Sequence, residues 1–165
     1  MKLRLSILKL FKPIVWLCCT LLVGLSFVYI HSDGHLKFLS YFLVPFAVLA
    51  TPTIYLFFEY YGETNGRTVI INADELVVIQ KSGKVNHIPF SELAYIKLFK
   101  SARADGVWAY MGNPFEMFYH AQIWTNKGQV IVLTSVMDPD IDEALKLLTN
   151  VEIKVVRTVF ANISI

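Results

Sequence analysis

Two stretches decide the fold: Ile14–Ile30, IVWLCCTLLVGLSFVYI, and Phe38–Phe58, FLSYFLVPFAVLATPTIYLFF. The first runs for seventeen residues without a charge and the second for twenty-one. A bilayer core is about 30 Å thick, and a helix needs roughly 17–25 apolar residues to cross it. Both runs are apolar all round, with no polar stripe to turn toward water, and a globular core of this size has no room for such helices. A membrane-crossing pair is therefore expected.

The flanks support that expectation. Tyr29 marks one end of the first span, and Tyr55, Phe57, Phe58, Tyr60 and Tyr61 crowd the end of the second, around Glu59. Amphipathic rings of this kind favour the headgroup layer. Pro45 and Pro52 each remove a helix hydrogen bond, which Thr51, Thr53 or a neighbouring helix could offset. Thr20/Gly24 and Ala47/Thr51 are small-xxx-small pairs that would let the helices approach closely. Seven residues, His31–Lys37, join the spans, enough for a tight hairpin.

Lys2, Arg4, Lys9 and Lys12 give the first thirteen residues a charge of +4. The positive-inside bias then places the N-terminus in the cytoplasm, and two crossings return the chain to the same face. A cleaved secretory signal is the rival reading of the first span, but the run is long and lacks a convincing small-x-small site. A lipoprotein signal would want small residues before Cys18 or Cys19, where Trp16 and Leu17 stand. Lys2–Lys12 reads either as a short interfacial helix or as a plain basic flank.

With 165 residues there is room for one ordinary domain besides the hairpin. The chain is 55% hydrophobic and 17% charged, against about a quarter charged in soluble proteins. The apolar excess sits in the first sixty residues. From Gly62 onward ten Lys/Arg face eleven Asp/Glu, so the domain lacks the basic surplus of a nucleic-acid reader. Its lack of cysteine suits a reducing compartment. Three regions result: a basic flank (1–13), a helical hairpin (14–61) and a cytoplasmic domain (62–165).

Beyond the polar linker GETNG (62–66), short strand-like runs alternate with turn signals. They are Thr68–Asn72, Glu75–Gln80, Lys84–Phe90, Glu92–Lys100, Met117–Thr125 and Gln129–Ser135, with Gly83 and Gly128 in the turns. Asp138 is placed to cap an amphipathic helix whose first turn holds Pro139, Asp140, Asp142 and Glu143. Ile141, Ala144, Leu145 and Leu148 form its apolar stripe. A last run, Val151–Phe160, alternates like a strand, and could pair with another protomer by edge addition.

Antiparallel strands closed by one C-terminal helix resemble the pleckstrin-homology (PH) superfold. The segments ELVVIQKSGKVNHIPFSELAYIKL and HAQIWTNKGQVIVLTSVMDPDIDEALKLL are similar to bacterial PH-like domains often found in small membrane proteins. The recurring elements are the turn glycine Gly83, the Ile88–Ser91 step, Ile96 and the Asp-Pro helix start, over roughly residues 67–149. The resemblance implies a PH-like fold in a membrane setting, with no agreed activity. Phosphoinositide-binding PH domains use basic residues around the first hairpin; here that turn is the acidic Asn72–Glu75.

The candidate sites are few. Ser101–Glu116 is a long connection, often a functional feature, and Arg103, Trp108, Tyr110 and Phe115 within it would grip a partner or dip into the interface. Alternatively Trp108 and Phe115 fold back over the open end of the strands. Lys81 and Lys84 flank a turn where they would touch anionic headgroups weakly, a solvated hairpin being the plainer reading. His31, Asp33 and His35 make a polar turn that could sense protons. His87 and His120 lie in separate strands with no evident partner. The acids at 138–143 read as a helix start rather than a metal site, and no nucleophile elbow or phosphate loop is present. The expectation is a bacterial inner-membrane protein with cytoplasmic termini and no catalysis, metal or cofactor. It would be a tethered interaction module for a membrane-associated protein or a second copy, with a lipid or envelope-stress sensor as the alternative.

Overall fold

The computed structural model describes residues 1–31, 37–101, 114–138, 140–148, 151–159 and 161–163, with backbone alone at 37–39. The chain begins with a strand. In β1 (Lys2–Leu5) the alternation of Lys2, Leu3, Arg4 and Leu5 turns Leu3 wholly inward and leaves Lys2 and Arg4 outside. β1 is hydrogen-bonded on both sides within a sheet, so the interfacial-helix and free-flank readings of Lys2–Lys12 are both corrected over residues 2–5.

Helix α1 (Ile7–His31) and helix α2 (Lys37–Thr64) follow. α2 runs on through most of the GETNG segment assigned to a linker, where Glu63 and Arg67 form an ion pair one turn apart. It stops at Gly66, whose φ of 77° ends a helix easily because glycine lacks a Cβ. Where the helices cross, the Phe42 ring fills the space above Gly24: a Cβ there would lie 1.9 Å from Phe42 Cζ. Gly24 is thus a point of close approach, against Phe42. The Thr51 and Thr53 hydroxyls donate to the carbonyls of Ala47 and Leu49, on either side of the Val48 carbonyl that Pro52 leaves without its helical partner.

Both helices are long and apolar enough to cross a membrane. Only 11% of the most apolar stretch of α1 and 17% of that of α2 is buried inside the protein. The core helix of a soluble protein hides its apolar surface. Here Leu22, Val23, Phe27, Val44, Val48 and Phe58 stand exposed, which is the pattern of a membrane-associated chain.

The sheet-rich domain contains β2 (Thr68–Ile71), β3 (Glu75–Ile79), β4 (Val85–Pro89), β5 (Leu93–Ser101), β6 (His120–Thr125), β7 (Val130–Thr134) and β8 (Met137–Asp138), then α3 (Ile141–Leu147) and β9 (Ile153–Thr158). One sheet has the order β4-β3-β2-β1-β8 and the other β7-β6-β5-β9. Among the described residues, every pairing is antiparallel except β5 with β9, which runs parallel from Ile96↔Ile153 to Ser101↔Thr158. A parallel return needs a crossover, and α3 supplies it. The extra strand expected over Val151–Phe160 therefore exists and pairs within its own chain. The helix starts later than expected: Asp140 occupies the N-cap, while Asp138 lies in β8 opposite Arg4.

Between the sheets lies the main core, with Leu3, Val69, Leu76 and Ile88 from one side and Ile96, Ile123, Ile131 and Leu133 from the other. Ile141, Ala144 and Leu145 of α3 seal it. Register identifies the end nearest the helices. Arg4, Thr68, Ile79 and Val85 form one row across the first sheet. In the second sheet Phe99, His120 and Thr134 form another.

Candidate functional site

Where the hairpin meets the domain, the two share a second core. Leu10 of α1 and Leu56 and Tyr60 of α2 pack with Phe115, Phe118, Val132, Val136 and Ile163. The aromatic crowd at the end of the second span is thereby divided. Tyr55, Phe58 and Tyr61 are exposed, as rings in a headgroup layer would be, whereas Tyr60 is fully buried. α2 continues past its apolar run into the domain, so its later residues meet protein in place of lipid.

Tyr60 makes the central polar contact. Its hydroxyl donates to the Ala161 carbonyl at 2.7 Å and lies 3.1 Å from His120 Nδ1. With the phenol proton committed, Nδ1–H of His120 is the donor to the phenol oxygen, which leaves Nε2 as the bare ring nitrogen. Nε2 is buried with no hydrogen-bond partner among the described residues. The imidazole also stacks on Phe99 at 4.7 Å. Desolvation holds its pKa down at about 4, so it is neutral at ordinary pH.

Further links tie the same seam. The Ile163 N–H donates to Glu59 Oε1 at 2.9 Å, and the hydroxyls of Thr64 and Thr134 are 2.8 Å apart. Lys9, in the first turn of α1, reaches Asp140 at 2.5 Å and Asp138 at 3.3 Å, and donates to the Met137 carbonyl. Nearby, Lys100 pairs with Asp142 at 3.0 Å, and Tyr119 donates to the same carboxylate. Burial, followed by the charge of Asp142, pushes the Tyr119 hydroxyl pKa well up. The acids at 138–142 thus face lysines. No group of three or more His, Cys, Asp or Glu among the described residues is arranged to hold a metal ion.

Arg103, Trp108 and Tyr110 lie outside the described residues, as do Asp33 and His35. Phe115 is 8% exposed and wedged between the helices and the domain; as a surface contact for a partner it is corrected, because the hairpin ends already cover it. Lys81 and Lys84 stand exposed in the turn joining β3 to β4. His31 ends α1, stacked on Phe27 at 4.1 Å. His87, in β4 of the first sheet, lies 3.1 Å from Glu75, whereas His120 is in β6 of the second. An open groove of about 670 Å³ runs between Val48, Thr51 and Tyr55 of α2 and Thr158, Val159 and Asn162.

Sequence reasoning missed Tyr60, His120, Lys9 and Thr64 as one assembly. The available signal was the overrun of α2: a tyrosine and a threonine one turn apart beyond the apolar stretch. Chemically the seam offers a rigid joint, with a neutral imidazole and a phenol locked between helix and sheet. No known family model matches this chain, and no curated protein is significantly similar to it.

Proposed function

We propose that this chain is a membrane-tethered interaction module without catalysis, holding a PH-like domain end-on against the cytoplasmic face of a bacterial inner membrane, with both termini in the cytoplasm. One observation carries the reading: Leu10, Leu56 and Tyr60 of the hairpin belong to the same core as Phe118 and Val136 of the domain. A flexible linker would let the domain wander. A shared core fixes its height and tilt, which suits a module that meets membrane-bound partners in one orientation. Tethering raises the effective concentration of weak partners without added contacts.

The PH-like assignment draws on two mainly antiparallel sheets and a helix late in the chain. It differs from the simple pattern in α3, which has only seven residues, and in β1 and β9, which come from outside the core segment. The alternative, a lipid or envelope-stress sensor, draws on the same seam, because a rigid joint also transmits helix tilt.

Crosslinking in native membranes tests the proposal. The full-length chain, carrying a photoreactive residue in place of Asp74 or Val155, both exposed, is expected to trap a discrete membrane-associated protein or a second copy. Labels at both ends should be shielded in inside-in vesicles and reached in inverted ones. Termini on opposite faces, or a chain that stays monodisperse without detergent, would overturn the reading. Crosslinking only to lipid would favour the sensor.

A further inference from the structure

The helix-facing end of the first sheet carries basic side chains that form no ion pair among the described residues, although Arg4 lies across the ladder from Asp138, which is bonded to Lys9. Arg4, Lys81 and Lys84 are exposed there, and Lys12 is exposed on α1. Register brings the first three together: Arg4 pairs with Thr68, Thr68 with Ile79, and Ile79 with Val85, so the Gln80–Lys84 turn closes the same end. Lys81 lies directly over the end of α2, its Cγ 2.8 Å from where a Gly66 Cβ would be.

The other cations of this end are neutralised, Lys9 by Asp138 and Asp140 and Arg67 by Glu63. The far end of the domain has the opposite character. Asp74 and Glu75 sit at the β2–β3 turn, while Glu92, which precedes β5, is paired with Lys127.

Height decides what these cations can reach. The apolar run of α2 stops at Phe58, and residues 59–64 carry the helix only about 9 Å further at 1.5 Å per residue. The headgroup layer adds roughly 5–8 Å beyond the hydrocarbon on each face. The Debye length at physiological salt is about 8 Å. A lysine side chain over Gly66 is therefore within range of lipid phosphates, and Lys12, just ahead of the first apolar run, is at their level.

We infer that Arg4, Lys12, Lys81 and Lys84 form a headgroup-facing rim that seats the domain on anionic phospholipid. The rim deepens the membrane-tether reading and rests on it. Continuity with the two crossing helices and charge complementarity to the leaflet select lipid as the occupant. Seated this way, the acidic end points away from the membrane, toward whatever binds the module.

The test uses full-length protein in nanodiscs of pure phosphatidylcholine and of phosphatidylcholine with about 30% phosphatidylglycerol, read by hydrogen exchange over residues 80–84. Anionic discs are expected to slow exchange of this turn severalfold, with about fivefold the scale for each basic side chain near such a surface. High salt or K81Q/K84Q should remove the difference, and the variant's unchanged melting temperature would show that it folds. Equal exchange in the two discs, or slowing by free phosphate in pure phosphatidylcholine discs, would overturn the rim. Incorporation into discs of either lipid is read separately: a chain that fails to enter them defeats the tether itself, while one that enters without lipid-dependent slowing defeats only the rim.

Discussion

The Tyr60 hydroxyl lies 3.1 Å from His120 Nδ1, joining the last turns of a helix that begins in the apolar span to the first residue of strand β6. Both side chains are fully buried. Phenylalanine at position 60 keeps the packing and removes the oxygen, leaving the Ala161 carbonyl and the imidazole without their partner. A buried polar group so orphaned costs about 1–3 kcal/mol. Tyr60→Phe should therefore lower domain stability by about that amount in denaturant titrations of the detergent-solubilised chain, while membrane insertion is unchanged. A neutral result would show that the contact carries no stability.

His120 sets a pH dependence with a definite sign. Its folded pKa of about 4 lies below the ordinary 6.5, so the unfolded chain binds the proton first as pH falls. The stabilisation is complete above about pH 6.5 and is lost as pH drops toward 4, to a total of about 3 kcal/mol. His120→Gln should flatten the melting profile across that window relative to wild type. Parallel profiles for the two proteins would rule out this residue as the cause.

Phe115 offers a check on the seam. Truncation to alanine would open a cavity between Leu10, Leu56 and Phe118, and such changes cost about 3–5 kcal/mol. Thermal melting of Phe115→Ala should show that loss. An unaffected melting temperature would mean that the helix ends do not close over the domain as described.

β1 makes an equally direct prediction. Leu3 is wholly buried opposite Val69, so Leu3→Ala should cost about 2–5 kcal/mol, and backbone amides of residues 3–5 should resist hydrogen exchange alongside those of β2. Rapid exchange at the start of the chain would contradict the sheet order.

Lys9 is expected to matter less. Its carboxylate partners are more than half exposed, at 64% and 55%, so solvent screens the pairs and Lys9→Met should cost at most about 1 kcal/mol. A double-mutant cycle with Asp140→Asn measures the coupling directly.

Local chemistry made much of this fold legible. The apolar runs announced two helices because no other environment accepts them, and Gly83 and Gly128, with φ near 80°, marked hairpins between alternating strands. Long-range pairing was not legible. Nothing in Lys2–Leu5 distinguishes a strand from a basic flank until Thr68 and Asp138 arrive beside it, and those partners are more than sixty residues away. β9 was visible as a strand, but its parallel partner depends on where α3 sends the chain. Tyr60 reads like its exposed neighbours because a sequence does not say where lipid ends and protein begins on one continuous helix. At the rim, Lys81 and Lys84 were visible as cations, and only the register showed that their turn closes the helix-facing end.

Strand β1 is made before the hairpin, yet its neighbours β2 and β8 are made after it. Where the hairpin crosses a membrane, the sheet can therefore be completed only if both of its flanks reach the same compartment. A chain that threads one helix and stalls on the other strands β1 across the bilayer from its partners and leaves Val69 and Met137 without cover. On the membrane-tether reading, closure of the domain therefore reports on insertion: a correctly threaded molecule hides its apolar strands, and a misthreaded one leaves them uncovered.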